Sequence, residues 1–468
     1  MPWFPTLALL MTAAIAPSAA SAQREGEGPR VEVSVDVNTV HQTIEGFGAS
    51  GAWWPTWVGD YPRDKQDQLL DLLFSPDKGI ALSIFRYNLP AGSSEATVKR
   101  PERRTVQIET SPGEYDLSRD DAALDLLAGA RERGVQRFVL FSNSPPERMT
   151  VSGKASGGPG GGSNLRPDMV EAFATYVLDV AERVRERCDL PDDGVAVSPI
   201  NEPQWRWGGD GRGQEGSHYK PAEVAAVIRE VIEQNEQRGL GFEIEAPESG
   251  AWEPTMPYAK ALFDDPIIDE HLDALAIHSY WTNAEQRRKA AEALRAAYPD
   301  KRIAMTEYCE MRHGHDLSIE GGLHMAGVIH EDLTVGNVVS WQWWLAVAAG
   351  GYRDGLIYAD PETQVIEVTK RLWVLGQWSR FVRPGFERVA AEASDDRLKA
   401  TAFRSGDGRR LVIVTINPTD QPIPVAFTAL SFAVADAFVT DADRDLAATS
   451  ADTPLPPKSV TTLILVRE

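Results

Sequence analysis

From Thr43 to Arg383 the chain repeats one pattern, a short apolar run followed by an amphipathic stretch, and that alternation limits the folds open to it. The apolar runs fall at 43–47, 81–87, 137–141, 195–197, 242–246, 272–278, 302–305 and 338–343. Helical spacing marks 65–73, 120–133, 167–187, 221–238, 284–298 and 321–332 between them. Runs this short and this apolar suit strands buried on both faces, and parallel neighbours need a crossover, usually a helix. Eight such strands in an α/β chain predict a (β/α)8 TIM barrel with enlarged loops. An open doubly wound sheet is the alternative, with its ligand at one switch point rather than across every strand end.

After Arg383-Pro384-Gly385 the pattern changes to strand-like segments at 398–403, 410–417, 423–427, 432–439 and 459–466, parted by turns such as Ser405-Gly406-Asp407-Gly408. That arrangement predicts a β-sandwich. The alternating Val-Glu-Val-Ser-Val-Asp-Val at 31–37 is a strand with one buried face, and it is expected to join this second domain. The expected organisation is a signal peptide over 1–22, an N-terminal sandwich strand over 23–42, a catalytic barrel over 43–383 and a β-sandwich over 384–468. The signal rests on an apolar stretch at 7–15 and on Ala20-Ser21-Ala22 as a cleavage site, although no Lys or Arg precedes the stretch. It predicts a secreted protein, extracellular or periplasmic, with no membrane contact once the signal is removed.

Asp and Glu outnumber Lys and Arg by 69 to 47, a formal charge of −22. That balance argues against nucleic acid as a partner, since its phosphates demand a basic surplus. A neutral oligo- or polysaccharide fits better, and a monomer is expected. Cys188 and Cys309 could form one bridge but not a disulfide framework. Cys309, two residues from Glu307, is more simply a small buried hydrophobe than a catalytic thiol.

In a barrel, chemistry collects on the loops after the C-terminal strand ends. Ten of the 13 tryptophans fall there, among them Trp54, Trp205, Trp341 and Trp343. Flat aromatic faces stack on sugar rings while polar groups bind the hydroxyls. Glu202 follows strand four in Ser198-Pro199-Ile200-Asn201-Glu202-Pro203, and Glu307 ends strand seven. Two carboxyls in such settings meet the minimum for glycoside hydrolysis, one protonated to serve the leaving oxygen and one ionised to attack. Arg86 is the expected group to hold Glu307 ionised, and desolvation is expected to raise Glu202. Tyr280 could orient Glu307. Asn201 could bond a ring hydroxyl. The candidate substrate-binding set is Trp54, Arg86, Asn143, Asn201, Trp205, His278, Tyr280, Trp341 and Trp343. No cofactor or metal is called for.

Three rival motifs lack their context. Gly46-Phe47-Gly48-Ala49-Ser50-Gly51 matches a dinucleotide fingerprint, yet Trp53-Trp54-Pro55 follows where a helix should begin. His313-Gly314-His315 with Glu310 lacks the helical spacing of a zinc protease. Ser50 and Ser249 precede glycine without forming a serine-hydrolase elbow.

Taken together, Ile44-Glu45-Gly46-Phe47-Gly48-Ala49-Ser50, Phe85-Arg86, Ser142-Asn143-Ser144-Pro145-Pro146, Asn201-Glu202-Pro203, His278-Ser279-Tyr280, Met305-Thr306-Glu307-Tyr308 and Trp341 resemble glycoside hydrolase family 30. The resemblance covers the mature chain and implies a barrel joined to a β-sandwich built from both chain ends. It also implies retaining chemistry, with Glu202 as acid/base, Glu307 as nucleophile and Asn201 on the hydroxyl beside the anomeric carbon. Asn201-Glu202-Pro203-Gln204-Trp205, Gln214-Glu215-Gly216-Ser217-His218-Tyr219 and Thr306-Glu307-Tyr308-Cys309 look most like the endo-β-1,6-galactanases. The alternatives within the family are a xylanase or glucuronoxylanase and a β-1,6-glucanase. Outside enzymes, an inactive carbohydrate-binding protein is the alternative, and the presence of both glutamates argues against it.

Overall fold

The computed structural model describes residues 30–467 apart from 209–212, 273 and 429–430. The expected signal segment lies outside the described residues.

Nine extended segments form one parallel sheet. In chain order they are Gly46–Ser50, Ile84–Asn88, Arg137–Phe141, Val195–Ser198, Glu243–Ile244, Ala246–Ser249, Ala274–His278, Arg302–Glu307 and Ser340–Trp343. Glu243–Ile244 pairs with strand four, whereas Ala246–Ser249 pairs with strand six. These two pieces are one fifth strand interrupted at Glu245, and the chain running through them joins the two ends of the sheet into a nearly closed eight-stranded barrel. Strands one to four are buried almost throughout, as parallel strands covered on both faces must be.

The glycines of strand one serve packing. A Cβ on Gly48 would stand 2.7 Å from the carbonyl oxygen of Ile84, and one on Gly51 would enter the Phe85 ring. The fingerprint-like motif is therefore a close approach of strands one and two.

The helices follow the apolar spacing. Val170–Arg187 buries Phe173, Val177, Val180, Ala181 and Val184 along one face. Pro221–Arg238 starts with its proline in the first turn and stops at Gly239, whose φ of 64° is left-handed. Thr255–Phe263, Pro266–His271 and Lys370–Ser379 are helices the sequence reading did not separate from loop.

The second domain is an eight-stranded sheet, antiparallel but for one pair, built as expected from the first strand and the C-terminal segment. Val31–Thr43 lies between Glu387–Ala393, its antiparallel neighbour, and Val425–Thr428, its parallel one. One face shares an apolar cluster that includes Val33, Val389, Ile413 and Leu463. The other packs on helix Lys370–Ser379, where Gln377 Nε2 donates to Thr440 Oγ1 (2.8 Å) and Thr462 Oγ1 donates to Gln377 Oε1 (2.7 Å). Among the described residues no helix is long and apolar enough to cross a membrane.

Candidate active site

The C-terminal ends of strands two to seven converge on a buried cluster of charged side chains. Glu202 stands four residues beyond strand four with a left-handed φ of 46°, held by a hydrogen bond from its N–H to the Glu248 carbonyl (2.9 Å). Glu248 (φ 58°), within strand five, and Trp281 (φ 47°), three residues after strand six, share that conformation. A side-chain-bearing residue there costs about 1 kcal/mol or more, and such strain gathers at functional sites.

Glu307 ends strand seven. It accepts from Arg86 Nη1 at 2.5 Å through Oε2 and from the Tyr280 hydroxyl at 3.0 Å through Oε1. Arg86 is wholly buried, with its guanidinium 3.7 Å from the Phe141 ring centroid. Its Nη2 donates to Asn201 Oδ1 (2.8 Å), and Asn201 Nδ2 donates to Asn143 Oδ1 (3.1 Å). His278 Nδ1 lies 3.4 Å from Glu202 Oε1 and 3.7 Å from Glu307 Oε1. A donor oxygen of each glutamate and the histidine nitrogen all fall within 4.8 Å of one another.

Behind them Glu248 is fully buried. It accepts from His278 Nε2 (2.9 Å), Ser198 Oγ (3.0 Å) and Thr306 Oγ1, and it lies 3.4 Å from Arg86 Nη2. Burial pushes the Glu248 carboxyl up, but the Arg86 charge and the His278 and Thr306 hydrogen bonds overcome it and hold it at about 2. Burial alone would lower the His278 imidazole, yet the Glu307 and Glu248 charges and the Glu202 contact lift it to about 9. Glu307 departs from expectation. Burial pushes it above the usual carboxylate range, against the downward pull of His278 and Arg86. Arg86 does reach Glu307; the cost of desolvation is what the sequence reading weighed too lightly.

The trio Glu202, His278 and Glu307 has the spacing of a metal site. An imidazolium and the Arg86 guanidinium beside it both repel a cation. His313 packs edge-on against Tyr352, His315 pairs with Glu367 and Glu310 pairs with Arg353, so that motif is divided among separate contacts. Cys188 and Cys309 are buried and unpaired, and burial raises the Cys309 thiol well above its usual range.

Both glutamates open into a cleft of about 1220 Å³ lined by Gln204, Trp205, Trp207, Tyr280, Trp281 and Trp344, with Arg100, Arg103 and Arg206 also on its walls. Trp281 is 59% exposed and meets Trp205 edge to face at 5.0 Å. Trp54, Trp341 and Trp343, of the expected ligand set, are buried, and none is among the residues lining the cleft. Their indole N–H groups are used internally, by the Ser50 carbonyl, Asp332 and the Asp354 carbonyl. Arg86, Asn143, Asn201 and His278 stand behind the carboxylates, while Trp205 and Tyr280 reach the cleft. The expected site set omits Glu248, Gly250 and Trp281, and Gln204 enters the sequence argument only within the run Asn201-Glu202-Pro203-Gln204-Trp205. Their signal lay in standing at or within a few residues of the C-terminal ends of strands four, five and six.

Paired carboxyls at the mouth of a parallel barrel, in an aromatic-walled cleft, define a glycoside hydrolase of the (β/α)8 class. The O-Glycosyl hydrolase family 30 profile matches residues 30–358, and the chain belongs to that family. It is 24% identical over 412 residues to the endo-beta-1,6-galactanase of Hypocrea rufa, covering 82% of this chain and 81% of that protein. The glucuronoxylanase XynC of Bacillus subtilis (strain 168) is 21% identical over 406 residues, 84% of this chain and 79% of XynC. Among solved structures, a conserved exported protein from Bacteroides fragilis superposes with a TM-score of 0.84 at 26% identity, over 92% of this chain and 99% of its own.

Proposed function

We propose that the protein is an exported, retaining endo-β-1,6-galactanase that hydrolyses β-1,6-galactan side chains of arabinogalactan by double displacement. The observation that carries the retaining reading is the approach of Glu202 and Glu307 oxygens to within 4.8 Å. That is near the roughly 5–5.5 Å of retaining glycosidases and short of the about 6.5–9.5 Å that leaves room for an inverting water. Similarity to the Hypocrea rufa galactanase supports the choice of sugar.

In this reading Glu202 protonates the glycosidic oxygen as Glu307 attacks the anomeric carbon and the bond to the leaving sugar breaks. Arg86 and Tyr280 hold the attacking carboxylate. A water then gives its proton to Glu202, attacks the same carbon and frees Glu307. Asn201 has one amide hydrogen engaged by Asn143 and keeps the other for the hydroxyl beside the reacting carbon. The cleft, larger than the usual 300–1,000 Å³ of a single-ligand pocket, suits attack within a polymer.

Product analysis on β-1,6-galactan, β-1,6-glucan, glucuronoxylan and aryl glycosides tests the proposal. β-1,6-Galacto-oligosaccharides whose first-formed anomer is β are expected. First-formed α product would end the retaining assignment, and cleavage of glucuronoxylan or β-1,6-glucan in place of galactan would reassign the substrate.

Arg86 and His278 supply two positive charges and Glu248 one negative. The cluster is therefore neutral when one catalytic carboxyl is ionised and the other keeps a proton. Glu245, salt-bridged to Arg137, is the other carboxylate facing this group, and burial keeps Tyr280 and Cys309 protonated. Glu248→Gln deletes the negative charge, so the cluster gives up its first proton more readily. The alkaline limb of kcat/KM is expected to move down by about one pH unit. A limb that stays in place in a folded variant would contradict this charge balance.

Trp281→Ala removes an exposed stacking face without touching the carboxyls. KM for polymer is expected to rise about five- to tenfold with kcat nearly unchanged, as for lost uniform binding. A fall confined to kcat would count against a binding role.

A further inference from the structure

Gln204 sits two residues after Glu202 and is one of the residues lining the cleft. Both amide atoms are buried, and neither has a hydrogen-bond partner among the described residues. Such a group is costly unless something meets it when the site fills. Its surroundings indicate what that is. Gly250 is buried beneath it, and a Cβ there would lie 2.3 Å from Gln204 Nε2, 2.5 Å from Trp205 Nε1 and 2.7 Å from Glu202 Oε1. An amide, an indole N–H and the acid's oxygen thus converge over one bare backbone carbon. The backbone fixes this arrangement, since Trp205 N–H donates to the Glu202 carbonyl (3.2 Å) and Tyr219 N–H to that of Pro203 (3.0 Å).

We propose that Gln204, with Trp205 Nε1, forms the polar half of the leaving-side subsite and binds hydroxyls of the sugar unit whose oxygen Glu202 protonates. The inference rests on Glu202 being the acid. A group facing the acid's oxygen contacts the departing unit, since Glu307 attacks from the other side of the scissile bond. An amide with both donor and acceptor free matches neutral hydroxyls, which also donate and accept. A carboxylate would leave Oε1 unmet, and a cation would leave Nε2 unmet. The Trp205–Trp281 edge-to-face pair offers the apolar wall of the same subsite.

The test compares two substrates with the same glycone, one leaving as a sugar and one as an aryl alcohol that lacks those hydroxyls. Gln204→Ala should lower kcat/KM on the β-1,6-linked oligosaccharide about 10- to 100-fold and leave the aryl glycoside within about twofold. Gln204→Met keeps the shape without the hydrogen bonds and should behave alike, which covers an alanine variant that folds poorly. Equal losses on both substrates, or none on either, would overturn the subsite. Wild-type enzyme inactive on every β-glycoside would instead overturn the glycosidase reading, so the two failures are distinct.

Discussion

Glu307→Gln should lower turnover by at least about 10⁴-fold, roughly 5.5 kcal/mol of barrier, while substrate still binds. The amide keeps the carboxyl's shape and can still meet Tyr280, but it cannot form the glycosyl ester. No neighbouring group can replace it. Glu248 is enclosed by Arg86, His278, Thr306 and Ser198 with no exposed surface, and Glu202 is committed to the leaving oxygen. Steady-state rates should be paired with mass spectrometry of enzyme treated with a slow-hydrolysing fluoroglycoside. The wild type should gain one glycosyl unit on Glu307, and the variant none. Activity within about tenfold of wild type would remove Glu307 from the nucleophile's role.

Glu202→Ala should show a loss that depends on the leaving group. On a glycan, whose departing hydroxyl needs a proton, kcat/KM should fall by about 10²–10⁴-fold, the usual contribution of a positioned acid. On an aryl glycoside with an acidic phenol the first step should be nearly unimpaired. The second step then slows for want of a base, and added azide should restore it by giving the β-glycosyl azide. The φ of 46° strains alanine as it does glutamate, so a folded variant is expected. Uniform loss on both substrates, without azide rescue, would reassign Glu202.

The barrel was legible because buried strands and amphipathic helices leave different periods in sequence. Val170–Arg187 and Pro221–Arg238 could be placed from apolar spacing and helix-end residues alone. The break at Glu245 was not legible, since 242–246 reads as one extended run and only pairing to two different neighbours divides it. Within the site, Glu202, Glu307, Arg86 and Tyr280 could be gathered from their places at strand ends. The tryptophans could not be sorted. Trp341 and Trp343 alternate along strand eight and stack on each other below the cleft, while Trp281 turns outward on a left-handed residue. Sequence position locates a tryptophan near the mouth, and the local turn decides whether it meets solvent. The balance at Glu307 depends on the depth of burial, which no local motif records.

The pairing of Val31–Thr43 has a consequence for how the molecule comes into being. Glu32 is bonded to Ser394, 362 positions further along the chain. During synthesis the first strand emerges long before either of its flanking partners exists, and it waits with both edges open until the polymer is nearly complete. Its insertion is a long-range closure, a slow kind of step that leaves nascent edges open to aggregation. Trimming a few residues from the beginning of this strand would therefore unseat the far end of the protein, and the damage would surface as poor yield rather than altered catalysis.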